Sequence, residues 1–358
     1  MTKQLHIQTT PKYNFPLPIK IPQELLELST QTLENHQSKR NLNLNSTLTN
    51  VVEKSIEKIN NGYAIAGLNP IKVEPSSNET MVVALDVSSI KIGETMIGTV
   101  IAVRGAIVLR RKSRYYSATI GPLPFHITEE NKHQILGILD ANMRKQRFFK
   151  VTTAPDPSNL QTKMASILET WLKLTILTNI QESLILWDGS LTAGNSEVSI
   201  SFLRKMLEIA RRNRNTILAF SKMTRLRFSS FHFNDLLIKY PSPCIIPIDD
   251  SLIDKNRLKL LGKIYLAKLN GTSVFRMDVD RNLSVDETVN AVCRLIGNDL
   301  IVNGYPETLR LAHVFSTFTA NEVIGIQRFL NTCYGLKIIN RPSVRRLLFG
   351  PFGKEHEN

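Results

Sequence analysis

The 358-residue chain is long enough to bury a sizeable core, and its 42% apolar and 21% charged residues are those of a soluble globular protein. No run approaches the ~18 consecutive apolar residues of a membrane span, the N-terminus lacks the apolar block of a secretory signal, and Cys244, Cys293 and Cys333 form no CxxC pair. Zinc, a disulfide framework and a membrane are therefore set aside in favour of a reducing cytoplasm, while a net charge of +14 points to a polyanionic partner.

In chain order, residues 1–20 read as an irregular, proline-containing arm. Amphipathic helices are predicted over 22–37 and 47–61, the second with Thr47 as its N-cap. At 81–87 the β-branched run MVVALDV changes the texture to strand, and 95–111 and 114–123 follow as further strands joined by short turns. Helices are expected at 128–145 and 159–179, then the strand SLILW, a helix at 198–213 and the strand TILAFS at 216–221. A helical turn at 234–240 precedes an antiparallel pair, 263–269 and 273–279, and the end is helical over 285–297, 306–318 and 320–331. Antiparallel strands followed by strand–helix alternation give an α/β architecture, a mixed sheet with helices packed on it. No internal repeat is found.

The positive charge is clustered. RRKSRYY (110–116), RKQRFFK (144–150), RRNR (211–214) and KMTRLRF (222–228) are separate basic groups, three of them with aromatics alongside. They are either solvated helix ends and loops or a surface that neutralises phosphates and stacks bases. On the second reading Arg110, Arg111, Arg114, Arg225 and Arg227 contact nucleic acid, with Lys222, at the end of TILAFS, as a further phosphate contact.

The acids carry the chemistry. Asp86 ends the apolar run MVVALD, and Asp188 ends SLILWD. Either both start turns, as Asp often does, or they hold divalent cations, which take oxygen ligands and in two-ion sites lie ~3.5–4 Å apart. Helical periodicity places Ala165, Leu172 and Ile176 within roughly 60° of Glu169. An unpaired carboxylate there costs several kcal/mol, so Glu169 binds a metal or pairs at the helix edge with nearby Lys173. In NGYPETLRLAHVF, Tyr305 and His313 lie eight residues apart, about two helical turns. His313 is then either a core histidine among Leu311, Ala312 and Val314 or a group facing the same cleft as Tyr305. P-loop, GxGxxG, HExxH and GxSxG patterns are absent.

With Asp86, Glu169, DGSL at 188–191, Ser221–Lys222 and the run YPETLRLAH at 305–313 in this order, the chain resembles the NurA family of archaeal and bacterial DNA-repair nucleases from about residue 80 to 345. The resemblance implies an RNase H-like core and a manganese-dependent centre, with magnesium as the alternative ion. By that likeness the metal is held by Asp86, Glu169, Asp188 and His313, and Tyr305 completes the catalytic set. It further implies a homodimer that degrades DNA from 5′ ends, cuts single strands internally, and docks on the hexameric ATPase HerA in repairing double-strand breaks. Where the family's first motif reads Asp-Gly-Ser, Asp86 is followed by Val87, and valine disfavours the positive φ of a tight turn.

These readings divide the chain into an N-terminal arm and helical appendage (1–75), a nuclease domain (76–345) and a tail (346–358). The N-terminal helices and the apolar-basic stretch SVRRLLFGPFG (343–353) are the places for a partner to dock. A catalytically impaired DNA-binding scaffold for a translocase is the rival reading. An RNA-cleaving enzyme of the same core shares the chemistry, and only the family likeness favours DNA.

Overall fold

The structure, a computed structural model, describes residues 15, 23–35, 69–135, 137, 157–193, 200–221, 240–248 and 259–339. After the short β1 (Ile71–Lys72), the β-branched stretches build a meander of β2 (Val82–Glu94), β3 (Gly98–Arg111) and β4 (Arg114–Thr128). β2 runs past Val87, where the apolar run ends in the sequence, because Ile90 and Ile92 extend the same alternation and pairing to β3 continues to Glu94. Helix α2 (Pro157–Asn179) leads to β5 (Leu184–Asp188), and α3 (Ile200–Arg212) leads to β7 (Thr216–Ser221). β2, β5 and β7 lie parallel to one another. β8 (Cys244–Pro247), β10 (Gly262–Lys268) and β11 (Phe275–Asp280) extend the sheet antiparallel beyond β7. Among the described residues the resulting mixed sheet has nine strands in the order β1-β8-β10-β11-β7-β5-β2-β3-β4, and the short β6 (Thr192–Ala193) and β9 (Lys259–Leu260) pair apart from it. Its β4-β3-β2-β5-β7 portion, flanked by helices, is the RNase H-like arrangement. β8 was not foreseen in the sequence; CIIP is short and follows two prolines, Pro241 and Pro243.

Residues alternate between two faces of the sheet. Val83, Leu85, Ile185, Trp187, Ile217 and Ala219 pack with Leu168, Leu172 and Ile176 of α2 and Phe202 and Met206 of α3. On the other face, Val82, Ala84, Leu184, Leu186, Leu218 and Phe220 pack with helices α4 (Val285–Asn298) and α5 (Glu307–Ser316). A last helix, α6 (Ala320–Tyr334), lies over the far part of β2 and β3, where Ile326 and Leu330 meet Ile92 and Val100.

Helix α1 (Gln23–Glu34) covers the outer strand β4: Leu25 and Leu28 join Phe125 and Ile127 in one cluster. Ser29 Oγ donates to Pro124 O at 2.5 Å, and His126 N donates to Thr32 Oγ1 at 3.2 Å. β1 pairs with β8, so segments of the span 1–75 take part in the main core and sheet. The helix expected at 47–61, the turn at 234–240 up to residue 239, the stretch 343–353, and the basic clusters 144–150 and 222–228 lie outside the described residues.

Helix α5 needs outside help at its start. Its N-cap is Pro306, which offers no side-chain acceptor. Asp299, buried at the end of α4, supplies one: Oδ2 accepts from Thr308 N at 3.0 Å. Its Oδ1 accepts from Leu300 N and from Tyr115 Oη, each at 2.9 Å. Burial pushes the Asp299 carboxyl up, against the hydrogen bonds from Thr308, Tyr115 and Leu300. Asp299→Ala strands these donors and lowers stability by about 2–4 kcal/mol in urea unfolding; Asp299→Asn, which keeps one acceptor oxygen, loses less.

Candidate metal centre

Register places the two aspartates side by side. In the parallel pair the last registered partners are Leu85 and Trp187, so Asp86 and Asp188 come next on adjacent strands. Each follows Ala84 or Leu186 in the alternation, and both therefore project toward α5. From α5, His313 brings Nδ1 to 2.8 Å from Asp86 Oδ2. Ser316 Oγ donates to the same Oδ2 at 2.7 Å. One oxygen of Asp86, one of Asp188 and one ring nitrogen of His313 all lie within 4.8 Å of one another, the group of metal-ligating side chains found among the described residues. An ionised carboxylate only accepts, so Nδ1 carries the proton and the lone pair of His313 sits on Nε2. The ring is about half exposed, whereas Leu309 and Ala312 of the same helix are buried in the core.

The two aspartates are set in different backbones. Gly189 takes φ +116°, a conformation for which glycine is suited, and turns the chain immediately after Asp188. Its N–H donates to Phe220 O, and its carbonyl accepts from Ser221 Oγ, each at 2.7 Å. Leu191 N then donates to Asp278 Oδ2 at 2.9 Å. Asp278 is only 1% exposed and is gripped by Nε and Nη2 of Arg276, each at 2.7 Å. Burial pushes the Asp278 carboxyl up, opposed by Arg276 and Leu191 N. Asp86, by contrast, starts no turn: Val87, Ser88 and Ser89 stay in β2, registered with Gly105, Arg104 and Val103. Valine suits that extended position, and Ser88 returns to the face of Asp86 with Oγ 3.0 Å from Ser316 Oγ.

Tyr305 lies in β13 (Tyr305–Pro306), paired with β12 (Ile301–Val302) through Asn303 and Gly304, both at positive φ. It precedes α5 rather than lying two turns back on it, because Pro306 caps the helix and α5 begins at Glu307. Tyr305 packs against Phe220 and Phe275, with ring centroids 6.2 and 5.1 Å away. Burial first, then the charges of Asp188 and Asp86, push its hydroxyl pKa up, so it stays protonated beside the two acids.

Glu169 is placed elsewhere. It pairs with Lys173 at 2.6 Å, and Lys173 lies over the Trp187 ring at 4.6 Å. α2 packs on the face opposite α5, and Glu169 is outside the Asp86–Asp188–His313 group. Arg110 is largely buried, its guanidinium 5.2 Å from the Tyr115 ring and 3.9 Å from Asp299. Arg111 and Arg114 are exposed, Arg111 standing 3.7 Å from Glu79. Lys222, Arg225 and Arg227 fall outside the described residues.

Sequence reasoning passed over Ser88, Ser316 and Arg104. The first two carry a spacing signal, i+2 on a strand from Asp86 and i+3 on a helix from His313. Arg104, registered with Ser88, has none. Its Nη1 donates to Thr317 O at 3.2 Å and its Nη2 to Glu322 Oε1 at 2.7 Å, with the guanidinium 4.5 Å from the Phe318 ring. It thereby ties down the segment that leaves α5. Partial burial alone raises the Glu322 carboxyl, but bonds from Arg104 and from Thr319 outweigh this and hold it below the usual range. A lowered carboxyl pKa stabilises the fold above about pH 4.3, and the contribution disappears as pH falls through the lowered folded value. The urea midpoints of wild type and Glu322→Gln accordingly differ at pH 6 and converge toward pH 3.

No family model matches the chain, and no curated protein does. Among solved structures, the NurA nuclease from Sulfolobus solfataricus aligns at 18% identity, covering 76% of this chain and 89% of its own, with a TM-score of 0.47. A second NurA structure aligns at 8% identity over 73% and 90%, with a TM-score of 0.40. Endonuclease V from Ciona intestinalis, in complex with an inosine-containing 24mer DNA, aligns at 12% identity over 70% and 89%, with a TM-score of 0.35. No helix among the described residues is long and apolar enough to cross a membrane.

Proposed function

We propose that the chain is a metal-dependent nuclease that hydrolyses DNA phosphodiester bonds. The observation that carries this reading is the convergence of Asp86, Asp188 and His313 within 4.8 Å, the aspartates where the parallel pairing of β2 with β5 stops and the histidine on the helix above them. Two carboxylates and an imidazole nitrogen suit Mn²⁺, and the oxygens alone suit Mg²⁺. Such an ion, when bound, supplies a more acidic water and offsets the negative charge gathering on the phosphate.

The residues divide the work. Asp86 and Asp188 hold the ion, and His313 either offers Nε2 as a proton acceptor near the scissile bond or, turned off Asp86, offers Nδ1 as a further ligand. Tyr305, kept protonated, is a hydrogen-bond donor for a phosphate oxygen. Lys222, with Arg225 and Arg227 beside it in sequence, and the exposed Arg111 and Arg114 contact the backbone of the strand. The resemblance to NurA extends the proposal to attack from 5′ ends and single-strand cutting, to a homodimer, and to a HerA-type translocase partner in the repair of broken DNA.

The ion pair of Glu169 with Lys173 favours one other reading, an impaired copy that keeps DNA binding and lacks turnover. Purified protein on end-labelled single- and double-stranded DNA, with and without Mn²⁺, separates the two. The nuclease reading expects Mn²⁺-dependent cutting that falls by about 10²-fold or more in Asp86→Ala and Asp188→Ala. It also expects Mn²⁺ to raise the Tm and EDTA to reverse the rise, since an ion bound only by the native state stabilises it. DNA retention without cleavage identifies the scaffold instead.

A further inference from the structure

We propose that Ser316, backed by Ser88, is a positioning residue that fixes the Asp86 carboxylate for the ion; this rests on reading Asp86, Asp188 and His313 as a metal site. An aspartate on an open strand face can turn about its Cβ–Cγ bond, and a ligand that turns is a poor ligand until something holds it. Here both protein donors reach the same atom. His313 Nδ1 and Ser316 Oγ lie 2.8 and 2.7 Å from Oδ2, and Oδ1 takes neither bond. The carboxylate is thereby divided into one oxygen engaged by the protein and one left to a ligand.

Ser316 has a single hydrogen to place and is 0% exposed, so bulk water does not compete for it. Three acceptors are within reach: Asp86 Oδ2 at 2.7 Å, His313 O at 3.0 Å and Ser88 Oγ at 3.0 Å. The bond to the ionised carboxylate is the shortest and, being charge-assisted, the strongest. With the hydrogen committed there, the Ser88 hydroxyl donates to Ser316 Oγ, and the chain Ser88→Ser316→Asp86 polarises in one direction. The arrangement needs only two local spacings, Asp86 and Ser88 on one face of β2, and His313 and Ser316 one turn apart on α5. Groups that orient a metal ligand from behind typically change metal affinity 10- to 100-fold.

The test is Mn²⁺ binding by electron paramagnetic resonance of the free ion, with the Tm in EDTA recorded separately as a measure of fold. Ser316→Ala is expected to weaken Mn²⁺ binding about 10-fold, Ser88→Ala to weaken it less, and Ser316→Thr to restore most of the wild-type affinity. Wild-type protein that takes up no Mn²⁺ overturns the metal-site reading together with this one. Mn²⁺ uptake that is lost in Asp188→Asn but equal in wild type and Ser316→Ala overturns the role of Ser316 alone. Should Ser316→Ala fail to fold, wild-type affinity in Ser88→Ala, at a partly buried position, overturns it equally.

Discussion

Two carboxylates on neighbouring parallel strands repel each other, and the upper part of the molecule is arranged around that repulsion. An oxygen of each lies within 4.8 Å of one of the other, close enough for like charges to oppose each other across the site. The β2–β5 register imposes it, since moving either strand by one residue would send its aspartate into the α2 face. What offsets it comes from α5. His313 and Ser316 both donate to Asp86. A divalent ion would offset it further, and binding is strongest where a site already holds its own charges under strain.

Helix α5 can serve this purpose only because buried polar side chains from outside the helix hold it at both ends. Asp299 caps its first turn, and Arg104 anchors the residues that follow its last. Between them, Leu309 and Ala312 bury against the sheet and leave His313 on the open side. The loop after Asp188 has a matching anchor in the Arg276–Asp278 pair. The helix that carries His313 and the loop after Asp188 are thus each anchored by an ion pair or carboxylate outside the group itself.

Much of this could be read from residue order. The strand runs reaching Asp86 and Asp188, the helix carrying His313, and the alternation of strands with helices follow from short-range periodicity, and the structure has these elements close to those positions. Glu169 shows the limit of such reasoning. Helical phase correctly put it at the edge of an apolar face, yet phase cannot say which side of the sheet a helix will cover, and α2 covers the side away from α5. Arg110 shows another: a basic cluster looks like a binding surface until Tyr115 and Asp299 claim one of its members. The turn anticipated at Asp86 gave way to strand because pairing with β3 outweighs the turn tendency of a lone aspartate.

The outer margin of the sheet has its own logic. At β4 a carbonyl and an amide that would otherwise seek another strand are satisfied by the hydroxyls of Ser29 and Thr32, while Leu25 and Leu28 close over the side chains beneath. A helix thus stands in for a tenth strand. Proteolytic loss of that single segment would open a long, fully formed ladder to any extended peptide, and the chain would exchange a sealed margin for an adhesive one.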